Sequence, residues 1–506
     1  MRLGWCLRLL PLAALAAVTA AVCPSRCRCD DTALETNCTG ARLNSFPIAL
    51  NPRLKRLLLA DNAIRRLDAS MVSSYNFLEY LDLSSNNMVS VQAGSFADQK
   101  NLLELRLSQN QLLELEPQVF LGLKQLSVLD LSHNRLRELP EGLLQPTPLL
   151  QQLNLAGNLL PTLTAGALLG AVSLRRLNVA DNELRQVPAA ALAQLAELDS
   201  LSLAGNSITR LSADELALAG PRLTDLSLAG NQLTALAGGT FRRLTSLRRL
   251  NLASTALATA DAETFAGLHR LEELHLGGNP LSRLGAAALS TLPRLRLVAA
   301  RACPGLNTIE AGAFAHNPAL DTVLLEENPS LAALPRELCL RLPLLRRLSL
   351  HANALTSLPA DAADWTRVHA DLSGNPWRCD CKLRWLAQLP AAANASGAIC
   401  AAPAALRGRL VRDVAPDELD CGGAEASSLA LIVGLSVAAA LLLLLAVLLC
   451  YRYRHRLHKM FKVLPWRDRV GLKRKEPYHH GTTYYCHDMY DPIHPRDSKP
   501  IPVTEL

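Results

Sequence analysis

The sequence predicts an α/β solenoid, in which short strand-plus-return units stack into a horseshoe with a parallel concave sheet, capped at both ends and followed by one transmembrane helix. Three observations carry this. The phrase Leu126-Ser-Val-Leu129-Asp-Leu131-Ser-His-Asn134-Arg-Leu136 reads L-x-x-L-x-L-x-x-N-x-L and recurs from near the N-terminus to about residue 375. Cysteines gather in two groups of four, Cys23, Cys27, Cys29 and Cys38 before the repeats and Cys379, Cys381, Cys400 and Cys421 near their end. From Leu429 to Cys450 there are 22 residues without a charge.

The asparagine of the phrase sets the register. Asn62, Asn86, Asn110, Asn134, Asn158, Asn182 and Asn206 follow one another at 24 residues, and Asn231, Thr255, Asn279, Cys303, Asn328, Asn353 and Asn375 continue with steps of 22 to 25. This is the spacing of the leucine-rich repeat, and it gives about thirteen units over residues 54–374. One unit cannot cover its own leucines, so units must stack. Strand alternation sends Leu129 and Leu131 inward and Asp130 out onto the concave face. Asn134 turns the chain, and stacked asparagines satisfy the backbone groups that a buried turn strands. Thr255 and Cys303 bond less fully there and are expected to be the weak rungs. Aromatic residues make up only 4% of the chain, so the core must be aliphatic. Phe96, Phe241 and Phe314 recur at repeat spacing on return segments, which are expected to be short helices or turns, and belong to that core.

Residues 1–21 combine Arg2 and Arg8, an apolar run and small residues at Thr19-Ala20-Ala21, the pattern of a secretory signal peptide. Residues 22–53 hold C-x3-C-x-C-x8-C. An exported chain meets an oxidising compartment, which favours disulfides, and the rival zinc reading lacks a histidine to complete a ligand set. The segment resembles the N-terminal cysteine-rich cap of extracellular leucine-rich-repeat proteins, and the resemblance implies Cys23–Cys29 and Cys27–Cys38. Residues 375–422 open with Asn375-Pro376-Trp377-Arg-Cys379-Asp-Cys381-Lys-Leu383-Arg-Trp385-Leu386. That run resembles the C-terminal cap of the same class. It implies Cys379–Cys400 and Cys381–Cys421, with Trp377 and Trp385 plugging the end of the core. Cys303 and Cys339 are left over, as a bridge or as two buried thiols.

A linker, 423–428, leads to the transmembrane helix 429–450, long enough at 1.5 Å per residue to cover about 33 Å of hydrocarbon. Arg452, Arg454, Arg456 and Lys459 follow at once. The positive flank stays in the cytosol, so a single-pass type I plasma-membrane protein with an extracellular N-terminus is expected. Cys450, at the inner boundary, is either a palmitoylation candidate or an ordinary helix-end thiol. The tail, 451–506, carries twelve Lys/Arg, six Asp/Glu and six of the chain's eight tyrosines, and is expected to be disordered and cytoplasmic. Tyr490-Asp-Pro-Ile493 fits a Y-x-x-Φ sorting or phosphotyrosine-binding pattern. Thr504-Glu505-Leu506 resembles a class I PDZ ligand, which implies a cytoplasmic PDZ scaffold as partner.

With the formal charge of +7 arising mainly in the tail, the repeats lack a nucleic-acid footprint. No H-E-x-x-H, G-x-S-x-G, phosphate-cradling glycine loop or C-x-x-C is present. No catalytic residue, cofactor or metal is therefore expected, and the chain reads as a non-enzyme. N-x-S/T sequons stand at Asn37 and Asn394, one in each cap. The variable concave positions offer Tyr80, Arg106, Asp130 and Arg176 as ligand contacts. Across residues 23–450 the chain resembles extracellular leucine-rich-repeat membrane proteins. The resemblance implies an adhesion or recognition receptor for an extracellular protein or an opposing cell-surface receptor. The alternative is an accessory subunit that modulates a channel or another receptor. A Toll-type signalling receptor is disfavoured, because 56 tail residues cannot hold a signalling domain.

Overall fold

The computed structural model describes residues 23–390, 394–421 and 424–461, in two compact units divided near Gly422. The signal peptide, Tyr490, Ile493 and Thr504–Leu506 lie outside the described residues.

In the first unit each copy of the phrase forms a three-residue strand whose middle residue is buried, as in Val128–Asp130, where Leu129 is fully covered. Because the units have nearly equal length, each strand pairs in register with the next: Arg56↔Tyr80, Leu57↔Leu81, Leu58↔Asp82. The result is a 17-stranded sheet, parallel throughout except for the edge strand Arg28–Asp30, which folds back on Glu35–Asn37. Both caps add a strand of their own. Glu35–Asn37 pairs with Arg56–Leu58, and Ala395–Ser396 pairs with His369–Asp371. Return segments are turns with occasional short helices such as Ala189–Leu192 and Ala213–Ala217. Phe96, Phe120, Phe241, Phe265 and Phe314 are buried behind the sheet in one continuous core with the leucines.

The asparagine ladder ties the turns together. Asn134 Nδ2 donates to Leu107 O, Leu131 O and Ser132 O at 3.0, 3.0 and 3.2 Å, and its Oδ1 accepts from Leu112 N at 3.1 Å. Two of those partners, Leu107 and Leu112, belong to the preceding turn. Thr255 Oγ1 donates to Leu252 O in its own turn and meets Asn279 Oδ1 in the next, reaching nothing behind it. Cys303 Sγ approaches Leu276 O at 3.6 Å but supplies no oxygen for the preceding turn's N–H. The residue before each rung is left-handed, with φ 54° at His133, 53° at Asp181 and 53° at Ala352. Gly157 takes the same place at φ 67°, where a Cβ would meet the His133 ring at 2.5 Å.

The second unit contains one helix, Ala424–Phe461, of 38 residues. Its stretch Leu431–Tyr453 is long and apolar enough to cross a membrane. The helix therefore exceeds the 429–450 expected from charge alone. It takes in most of the residues assigned to a linker, 424–428, and the first eleven assigned to a disordered tail, 451–461. Once nucleated by the apolar run, a helix gains a hydrogen bond with each added residue, and Tyr451–Phe461 contains no Gly or Pro to stop it.

Candidate concave-face binding site

The parallel sheet brings residues 24 apart side by side on the concave face, so sequence neighbours in register become spatial neighbours. Tyr80 is flanked by Arg56 and Arg106, whose guanidinium carbons lie 4.2 and 5.6 Å from its ring centroid. This is a cation–π stack on both sides of one ring. Each arginine is held from its far side, Arg56 Nε by Glu35 Oε2 at 2.9 Å and Arg106 Nε by Glu104 Oε1 at 2.6 Å. Burial, and then the Asp82 carboxylate, push the Tyr80 phenol up. Burial works to lower Arg106, but the Glu104 hydrogen bond and charge outweigh it and hold the guanidinium above its ordinary value.

Two of the expected contact residues differ from that expectation. Tyr80 is only 8% exposed, because the two guanidinium groups cover its faces, so the surface offered is arginine rather than phenol. Asp130 is half-buried and commits Oδ1 to Ser132, accepting from its N at 3.0 Å and its Oγ at 2.7 Å. Asp and Asn side chains favour this local turn to the backbone two residues on. Asp82 with Ser84 and Asp371 with Ser373 repeat it. Arg106, Asp130 and Arg176 converge on one depression of about 510 Å³, together with Val128, Gln152 and Ser200. Arg176 is exposed there and has no ion pair among the described residues. Arg56 completes the stack; the signal for it is its place 24 residues before Tyr80.

The caps close both ends. Sulfurs join Cys23 to Cys29, Cys27 to Cys38, Cys379 to Cys400 and Cys381 to Cys421. Asp380 lies by the last pair, but both sulfurs there are bonded to each other and leave no thiolate for a metal. Trp377 is fully buried and donates Nε1–H to Leu372 O, while Trp385 stacks near Trp365 at 5.3 Å. Cys303 and Cys339 are buried free thiols, and burial pushes Cys339 up to about 12. Cys450 is exposed on its helix. Asn37 is partly exposed in its strand, and Asn394 is exposed with Nδ2 3.3 Å from His369 Nε2.

Leucine-rich-repeat models match residues 52–112, 100–160, 221–281 and 245–298, and the leucine-rich-repeat C-terminal domain matches 397–422. The chain is a leucine-rich-repeat protein. It is 46% identical over 125 residues to the platelet glycoprotein Ib beta chain of Mus musculus, a match that covers 22% of this chain. The chain spans 60% of that relative's length. Among solved structures it resembles a TLR13–ssRNA13 complex, at TM-score 0.61 and 26% identity over 68% of this chain and 50% of that one. It also resembles Toll from the Drosophila Toll–Spatzle complex, at TM-score 0.58 and 21% identity over 75% of this chain and 57% of that one. In this leucine-rich-repeat protein, then, the scaffold is the shared part. The concave side chains are its own.

Proposed function

We propose that this leucine-rich-repeat protein is a type I cell-surface recognition protein that binds a protein ligand on the N-terminal half of its concave face. It acts by binding and is not an enzyme. The observation that carries the reading is the Arg56–Tyr80–Arg106 stack, set two strands from the depression that Arg106, Asp130 and Arg176 share. Interlocked arginine and aromatic groups with flanking carboxylates have the composition of a protein-binding anchor. The fold alone leaves the ligand class open, since its neighbours hold an RNA in one complex and a protein in another. Here Glu35, Asp82, Glu104 and Asp130 stand among the arginines, a mixed field that repels a phosphate backbone and suits a protein surface. Orientation rests on the arginines that follow the apolar run.

The test is a surface-protein binding screen with the chain, followed by Arg106→Ala and Arg176→Ala against the partner it yields. Each is expected to weaken binding by about 2 kcal/mol or more. Wild-type affinity in both variants would overturn the site. In the tail, Thr504–Leu506 and Tyr490–Ile493 support recruitment of PDZ or phosphotyrosine-binding partners from sequence alone. Deleting Thr504–Leu506 is expected to abolish capture of PDZ scaffolds, and unchanged capture ends that part of the reading. A second reading, an accessory subunit for a channel or another receptor, draws on the relative named as a beta chain. Loss of function on replacing helix Leu431–Tyr453 with an unrelated apolar helix, with the repeats intact, would favour it.

A further inference from the structure

We propose that N-linked oligosaccharides on Asn37 and Asn394 bracket the concave face, so that a ligand must seat between them. The proposal rests on the reading that the repeats face the cell exterior. These are the chain's N-x-S/T sites, since Asn328-Pro-Ser330 is blocked by its proline. Both belong to the first and last parallel strands of the one sheet. Asn37 pairs with Leu58, which pairs with Asp82, and this is the concave row that runs on to Arg106 and Asp130. Its neighbour Thr36 is 1% exposed, so alternation turns Asn37 outward. Asn37 Oδ1 accepts from Thr39 N at 2.9 Å, leaving Nδ2 without a partner among the described residues.

At the other end Ala395 is buried and Ser396 exposed, which places Asn394 on the same face as Ser396. The contact with His369, a concave residue in register with Arg347, confirms that direction. Asn394 borders a second depression of about 640 Å³, shared with Glu326, Arg347, His369 and Asp371. A sugar chain there covers this depression and guards the strand Ala395–Ser396, whose outer edge would otherwise be open to pairing. With strands about 4.8 Å apart, the two sites stand roughly 70 Å apart along the sheet, and the Arg56–Arg176 region lies between them.

In the transfer, asparagine Nδ2 bonds to the anomeric carbon of a lipid-diphosphate-linked oligosaccharide. The bond from that carbon to the diphosphate oxygen breaks, the diphosphate leaves with the electron pair, and one amide proton passes to solvent. The test uses the full chain on cultured cells. Glycosidase release in ¹⁸O water followed by peptide mass spectrometry should mark both asparagines. Leu58→Cys and Arg347→Cys should react with a small impermeant maleimide but not with a bulky polymer-linked one, whereas Val128→Cys should react with both. Adding Thr39→Ala and Ser396→Ala, which keep both asparagines, should restore bulky labelling at the two ends. An unmodified asparagine, or bulky labelling indifferent to the sequons, overturns the proposal. If the small reagent fails even at Val128→Cys on intact cells, the orientation itself is wrong and the proposal falls with it.

Discussion

Asn134→Ala isolates what one rung of the ladder does. Losing the side chain removes four hydrogen bonds, yet three of the backbone groups keep another partner. Leu107 O retains Asn110 Nδ2 at 3.1 Å, Leu131 O retains Asn158 Nδ2 at 3.1 Å, and Ser132 O retains Gln109 N at 2.9 Å. Only the Leu112 N–H, in a buried residue, loses its acceptor. An orphaned buried donor costs about 1–3 kcal/mol, and the weakened shared bonds add about 1, for roughly 2–4 kcal/mol in all. A stack of repeats need not unfold as one, so a global melting curve is the wrong readout. Hydrogen exchange in peptides spanning 105–115 is the right one. It should accelerate by roughly 30- to 1000-fold while peptides beyond residue 200 keep their rates. The converse change, Thr255→Asn, supplies the acceptor for Leu233 N that this rung lacks and should slow exchange around 228–233. Unchanged exchange at 105–115 in Asn134→Ala, or no slowing in Thr255→Asn, would refute the account of the ladder.

Other outcomes follow from the caps and the buried thiols. Tyr75 is 1% exposed, and its hydroxyl accepts from Leu50 N at 3.1 Å and donates to Pro47 O at 3.0 Å. Tyr75→Phe should cost about 1–3 kcal/mol and speed proteolysis between residues 44 and 51; an unchanged cleavage rate would count against that anchor. Native protein should show no thiol labelling at Cys303, Cys339 or the caps, with the first two reacting on denaturation, whereas native labelling at a cap cysteine contradicts the disulfide map. Burial holds Cys339 up to about 12, so as pH rises the unfolded chain gives up this proton first. The stability it contributes is whole below about pH 8.5 and is lost between there and about pH 12. Cys339→Ala should flatten that alkaline limb of the unfolding profile, and an identical limb would show that the group is not the source.

The strands were legible because leucine spacing reports burial directly, and the register followed because equal repeat lengths leave adjacent strands no other alignment. The two cap strands were not legible. Glu35–Asn37 has one buried position, and Ala395–Ser396 offers an alanine where the repeats use leucine, so neither carries the apolar signal. The left-handed residue before each rung was hidden for a different reason. His133, Asp181 and Ala352 adopt a conformation that glycine takes without strain, and the composition of that position is too mixed to show a rule. At the site, sequence placed Tyr80, Arg106, Asp130 and Arg176 on one face because alternation fixes the face. It could not show that Tyr80 is covered, since that depends on where two long guanidinium arms settle across strands.

That difference bears on how such a face evolves a ligand. The inward leucines and the rung asparagines are fixed by packing and by orphaned backbone groups, so a change there is felt as lost stability. The row holding Asp82, Asp130 and Asp371 is half committed, because each aspartate already bonds a backbone N–H two residues on. The row holding Arg56, Tyr80, Glu104, Val128, Gln152 and Arg176 carries no such duty to the backbone. It varies in charge, size and aromatic content from one strand to the next. Specificity therefore concentrates in that one row. Exchanging Arg56, Arg106 and Arg176 for lysine tests this, because lysine keeps the charge but loses the planar fork that stacks on Tyr80 and holds Glu35 and Glu104. If binding depends on the stack, affinity should fall in Arg56→Lys and Arg106→Lys well below that of Arg176→Lys. Equal retention in all three would mean that charge alone is recognised.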